Sequence, residues 1–190
     1  MLKITKAIAL ATIISSVGAY CGAEQTPTNN GKQTHAENLI PNADFQNDFK
    51  GYFRSSKEAF SLIKIGAQNI LVIKQNPNKE KNKHVKCSIG IELPPEKVTG
   101  KKFRFGVTLK VKKISGAAYL AIREIDSNGE SLTYRKIKIK KRDAYNWKKF
   151  TKTFTTSSKT VKLAFYIVAK YLGDEDEIQV KDIFLVAAPE

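Results

Sequence analysis

From Asn38 onward the sequence breaks into short runs of β-branched and aromatic residues, and that texture admits few folds. The runs are "FSLIKIG", "NILVIKQ", "CSIGIEL", "KFRFGVTLKV", "AAYLAIREI", "LTYRKIKIK", "FTKTFTT", "VKLAFYIVAK" and "IQVKDIFLV". Such residues suit the pleated, half-buried surface of a strand. Between them stand "IGAQN", "QNPNKEKNK", "LPPEKVTG", "IDSNGES", "TSSK" and "YLGDEDE", whose Gly, Pro, Asn, Asp and Ser residues favour turns. No stretch keeps the 3.6-residue apolar period over the roughly 12 residues that a helix needs. Strands recurring about every 10–15 residues predict an all-β sandwich or barrel. No internal repeat is present, and about 150 residues can bury a core without disulfides.

The N-terminus adds a second constraint. "MLKITK" carries two lysines, and "AIALATIISSVGAY" then runs apolar or small for fourteen residues. A membrane span needs about 20. The pattern fits a secretory signal, with Val17 and Ala19 as the small residues before cleavage and a second option after Ala23. Residues 1–23 are therefore expected to be removed. Residues 24–37 form a polar linker expected to be disordered, and 38–187 the domain. Export implies a secreted or extracytoplasmic protein. Cys21 offers an alternative, a lipid anchor holding the protein at a membrane, although the bulky Tyr20 before it departs from the usual pattern. Cys87 is the other cysteine; it is expected to be a buried, inert thiol, or a partner of Cys21 if cleavage follows Ala19.

Charge narrows the partners. The chain has 33 Lys and Arg against 18 Asp and Glu, a net +15. Loss of Lys3 and Lys6 with the signal leaves 31 against 18, or +13. Such a surface attracts polyanions: an acidic polysaccharide, an anionic cell-surface polymer, anionic lipid headgroups or nucleic acid. Export argues against nucleic acid, and no nucleic-acid motif is present. The densest basic run is "RKIKIKKR", Arg135–Arg142. It is the second half of an expected hairpin turning at Asp126–Gly129. Ile137 and Ile139 face the core, while Lys136, Lys138 and Lys140 share the other face with Tyr134. A solvated outer face and an anion-attracting surface are both open for it.

Nothing in the sequence assembles a catalytic centre. Glu92, Glu124, Asp126 and Glu130 give no reason to pair as the two carboxyls of a glycosidase. His35 and His84 make neither a triad nor a metal site. "GDEDE", Gly173–Glu177, reads as a solvated hairpin loop.

"NLIPNADFQ", Asn38–Gln46, resembles the N-terminal signature of carbohydrate-binding modules of families four and nine. "GKKFRFGVTLKVKK", "NWKKFTKTFTTSS" and "DEIQVKDIFLV" follow in the order of that family's later strands. The resemblance spans Asn38 to Val186 and implies a β-jelly roll of two antiparallel sheets, the galactose-binding-like architecture. It also implies a non-catalytic task, binding polysaccharide or another glycan; a structural or protein-docking use of the sandwich is the alternative.

A sugar ring stacks its C–H face on an aromatic ring and offers hydroxyls to polar groups. In "VKLAFYIVAK", Val161, Leu163, Phe165 and Ile167 form the core side, which turns Tyr166 outward. In "AAYLAIREI", Leu120 and Ile122 look inward and Tyr119 and Arg123 outward. Tyr119, Arg123, Tyr134 and Tyr166 would line one sugar-binding surface if their strands are neighbours. Tyr52 and Phe53 are further loop candidates. Trp147, the only tryptophan, is a sugar platform by composition, although its place in "NWKKFTKTFTTSS" resembles the family's structural core tryptophan. The family's structural calcium ion would fall on Asp44, Gln46 and Asp182, with Gln46 replacing the usual glutamate.

Overall fold

Nine strands follow the runs named above, preceded by one two-residue strand, in the computed structural model, which describes residues 36–75, 84–139 and 144–189. The signal segment, Cys21, most of the linker and Lys140 lie outside the described residues. Residues His35–Glu190 belong to one compact unit. The strands are β1 (Phe53–Arg54), β2 (Phe60–Ile65), β3 (Gln68–Lys74), β4 (His84–Ile91) and β5 (Lys102–Lys113). They continue with β6 (Ala117–Ile125), β7 (Ser131–Ile139), β8 (Tyr145–Thr155), β9 (Lys162–Lys170) and β10 (Glu177–Ala187). A single 3₁₀ turn, Pro95–Lys97, precedes β5.

The strands form two five-stranded antiparallel sheets, ordered β1-β4-β9-β6-β7 and β2-β3-β10-β5-β8. This is the β-sandwich jelly roll expected from the sequence. Alternation places one face of each sheet against the other. On β4 the inward residues are Val85, Cys87, Ile89 and Ile91; on β9 they are Leu163, Phe165, Ile167 and Ala169. Val161 stands before β9, half-buried, its N–H bonded to Ile125 O. Each fully buried Leu, Ile or Phe contributes about 1.5–3 kcal/mol, so this continuous core carries the fold. Cys87 is a free thiol inside it.

The β6–β7 hairpin turns where the sequence places it. Gly129 has φ +84°, and Asp126 Oδ1 accepts the N–H groups of Asn128 (2.9 Å) and Glu130 (2.8 Å). Asp126 is thereby a turn residue. Two aromatic assignments are corrected. Trp147 is not in the core: it lies half-buried on the outer face of its sheet, with Lys181 Nζ 4.6 Å from its ring centroid. Its spacing of three from Phe150 puts the two on opposite faces of a strand. Tyr145 packs with Phe150 instead, ring centroids 5.7 Å apart. Tyr52 is no loop ligand: it is buried against Phe45 at 5.1 Å, and burial pushes its phenol far above the ordinary range.

Candidate functional site

Strand order decides which outward residues meet. In the first sheet β9 lies between β4 and β6, and β6 between β9 and β7. The register pairs Tyr119 with Val168 and Lys138, Ala121 with Tyr166 and Lys136, and Arg123 with Ala164 and Tyr134. Tyr119, Arg123, Tyr134 and Tyr166 therefore share one outer face.

They also touch. Tyr134 and Tyr166 meet edge-to-face with centroids 5.8 Å apart. Arg123 Nη1 donates to Tyr166 Oη at 3.0 Å, which keeps the guanidinium above its ordinary pKa and fixes its plane. Arg123 Nε is shielded from solvent and has no hydrogen-bond partner. Lys136 Nζ stands 4.8 Å from the Tyr119 ring centroid and 5.1 Å from that of Tyr134. Beneath the rings lie Ala121, Ala164 and Val168, all buried although they point outward. These small residues make a floor under the half-exposed rings of Tyr119, Tyr134 and Tyr166. At the far edge Phe53 on β1 is 58% exposed, with Lys86 Nζ 5.3 Å from its centroid. Phe53 thus joins this face rather than a loop site.

No Asp or Glu occupies an outward strand position of this sheet. The glutamate of β6, Glu124, points inward and is fully buried. It accepts Arg135 Nε (2.6 Å), Ser157 N (2.8 Å) and Thr160 Oγ1 (2.8 Å). The face is single-signed, with His84, Lys86, Lys136 and Lys138 around the rings. Burial and the neighbouring Lys170 and Lys86 hold the His84 pKa below its usual value. Where β7 meets β8 of the other sheet, Thr133, Tyr134, Lys136, Lys138 and Lys152 line an open groove of about 700 Å³. A smaller cavity, about 400 Å³, opens among Leu39, Leu93, Lys97, Lys101 and Ala187; its aromatic neighbour, Phe103, is buried.

The calcium candidates lie apart from this face. Asp182, with φ +50°, sits in the β10 bulge and accepts Gln68 Nε2 at 2.6 Å. Phe45 O accepts Asn69 Nδ2 at 2.8 Å, and Asp44 Oδ1 accepts Gln46 N at 3.2 Å. Calcium requires six to eight oxygens and favours several carboxylates. Here Asp182 Oδ1 and Phe45 O each accept a side-chain amide N–H, and Gln46 brings no charge. Among the described residues no group of three or more His, Cys, Asp or Glu gathers as a metal site.

What sequence reasoning missed is Lys152, whose position in the groove depends on where the edges of the two sheets meet. Among the described residues no helix is long and apolar enough to cross a membrane.

The sequence matches no protein-family model and no curated protein. Solved structures resemble the fold. One is a family 16 carbohydrate-binding module, with TM-score 0.58 and 16% identity over 78% of this chain and 99% of that one. Another is a family 4 carbohydrate-binding module, with TM-score 0.53 and 14% identity over 78% and 99%. The enzymatically active domain of tailspike protein 4 from bacteriophage CBA120 gives TM-score 0.59 and 10% identity, covering 80% of this chain. The chain spans only 21% of that tailspike chain but almost the whole of the two modules. The fold of this chain is the jelly roll of the carbohydrate-binding modules.

Proposed function

We propose that the protein is a non-catalytic glycan-binding module, and that its ligand lies across the outer face of β9, β6 and β7. The observation that carries this is the convergence of Tyr119, Tyr134 and Tyr166 around Arg123 on a face without carboxylates. The rings offer apolar surfaces to sugar C–H groups, and Arg123 retains N–H donors for oxygens. The uniform positive charge favours an acidic polysaccharide or anionic cell-surface polymer over a neutral one. Glu124 and Asp126 are committed to structural hydrogen bonds, which supports a binding rather than a hydrolytic role. Export, with or without a lipid at Cys21, would place the module where such polymers occur; mass spectrometry of the mature protein reports its N-terminus and any acyl chain.

A glycan array probed at low and high salt tests the reading. Binding to defined glycans that persists in high salt, and falls at least tenfold in Tyr166→Ala and Tyr119→Ala with circular dichroism unchanged, is expected. Equal attraction to every polyanion, nucleic acid included, that disappears in salt would sink it. Silence on the array would favour protein docking instead, for which Ile63 and Ile65 on edge strand β2 offer exposed apolar surface.

On the same reading, the amide contacts of Gln68 and Asn69 hold the N-terminal segment and the β10 bulge without a metal. Melting temperatures in excess calcium and in chelator should agree within about 1 °C, because an ion bound only by the folded state would raise stability by mass action. A chelator-sensitive melt would restore calcium to Asp182.

A further inference from the structure

The alternation of β8 contains an anomaly. Phe150, Lys152 and Phe154 pair with Val107, Phe105 and Phe103, all inward and buried. A residue at the position of Lys152 should therefore be apolar. Lys152 is nevertheless exposed, because β8 is the last strand of its sheet and this stretch emerges beside β7, the last strand of the other. There it completes the groove with Thr133, Tyr134, Lys136 and Lys138.

The local carboxylate does not neutralise these lysines. Glu124 is engaged by Arg135 at 2.6 Å. The other ion pairs among the described residues, Lys74–Glu177 and Lys113–Glu175, use acids of other segments. Three ammonium groups, drawn from both sheets, thus share one groove with the Thr133 hydroxyl, and among the described residues no ion pair engages them. Like charges so gathered are relieved by a bound anion. Lys136 also stands over Tyr119 and Tyr134, so the groove is continuous with the aromatic platform.

We infer that the β7–β8 groove is a subsite for an anionic substituent, a sulfate ester or a uronate-type carboxylate, on the polysaccharide whose backbone lies over the tyrosines. This rests on the glycan reading above. Lysine ammoniums are point charges with rotatable donors, which accept either group without the fixed fork of arginine. The tyrosines then recognise a sugar ring and the groove its charge.

The test compares the protein with a Lys138→Met/Lys152→Met variant, which keeps the apolar stems. Calorimetry would use one β-1,4-linked oligosaccharide in neutral, carboxymethylated and sulfated forms. The expected result is about a tenfold loss for the anionic forms and no change for the neutral one. Loss confined to the sulfated form assigns the groove to sulfate; loss for both assigns it to the shared anionic chemistry. Undiminished binding of both anionic forms, or equal loss of the neutral form, overturns the subsite. If the unaltered protein binds none of the three, the glycan reading fails, and the groove is judged separately by an NMR titration with inorganic sulfate. Saturable shifts confined to Thr133, Tyr134 and Lys152 would support it, whereas uniform shifts over all basic residues would overturn it.

Discussion

At the scale of single residues, the fold hides ionisable groups that the proposed glycan face does not use. The thiol of Cys87 is enclosed between the sheets, and burial pushes its pKa from 9.0 up to about 12, against a smaller pull from Arg54. A raised pKa means that the folded state holds the proton more tightly than the unfolded one. Its contribution is fully present below about pH 9 and is lost as pH rises toward about 12. The buried phenol of Tyr52 acts in the same direction. Between pH 7 and about 10 the protein should therefore lose stability in urea, and Cys87→Val should lose less of it. Matching pH slopes for both proteins would exclude Cys87 as the cause. The burial of Cys87 was legible from its place in "CSIGIEL", whose alternate residues are apolar. The burial of Tyr52 was not, because it stands outside any strand and depends on the chain folding back onto Phe45 and Phe49.

At the scale of elements, side-chain parity was readable and neighbourhood was not. Alternation alone turns Tyr119, Arg123, Tyr134 and Tyr166 outward, yet it is silent on strand order. Only the insertion of β9 between β4 and β6 makes Tyr166 a neighbour of Arg123 and Tyr134. Trp147 shows the opposite failure, where a family pattern overrode the parity its own spacing dictates. The outer face of the second sheet shows the same dependence on long-range pairing. Phe184 pairs with Gly106 and lies across it, with Arg104 and Lys149 flanking the ring. A methyl group at Gly106 would collide with the Phe184 ring. Gly106→Ala should destabilise the domain by about 1–3 kcal/mol, the usual cost of overpacking. Adding Phe184→Ala should recover much of that loss, a non-additivity expected of residues in contact. Strictly additive losses in urea titrations would show that the ring does not depend on the glycine.

At the scale of the molecule, charge acts on stability and on binding with opposite dependence on salt. A net +15, 33 basic residues against 18 acidic ones, leaves at least fifteen basic residues without an acidic partner, so the free protein is under self-repulsion. Raising ionic strength from about 0.01 M to 0.15 M shortens the Debye length from about 30 Å to 8 Å and relieves that repulsion. The melting temperature of the free protein should rise. A polyanion bound to the lysine-rimmed face supplies the same relief directly, adding about 2.7 kcal/mol at 100 times its dissociation constant. Salt weakens that attraction, so the added stabilisation should shrink as the free protein gains. Two melting series, with and without a sulfated polysaccharide, should therefore converge as salt increases. The height of the remaining gap separates the two parts of the site. Stacking on Tyr119, Tyr134 and Tyr166 resists salt, whereas the pull of Lys136, Lys138 and Lys152 does not. A gap that closes completely would mean the rings contribute nothing and the face is only a basic surface. A gap unchanged by salt would mean the charge, for all its size, plays no part in holding the ligand.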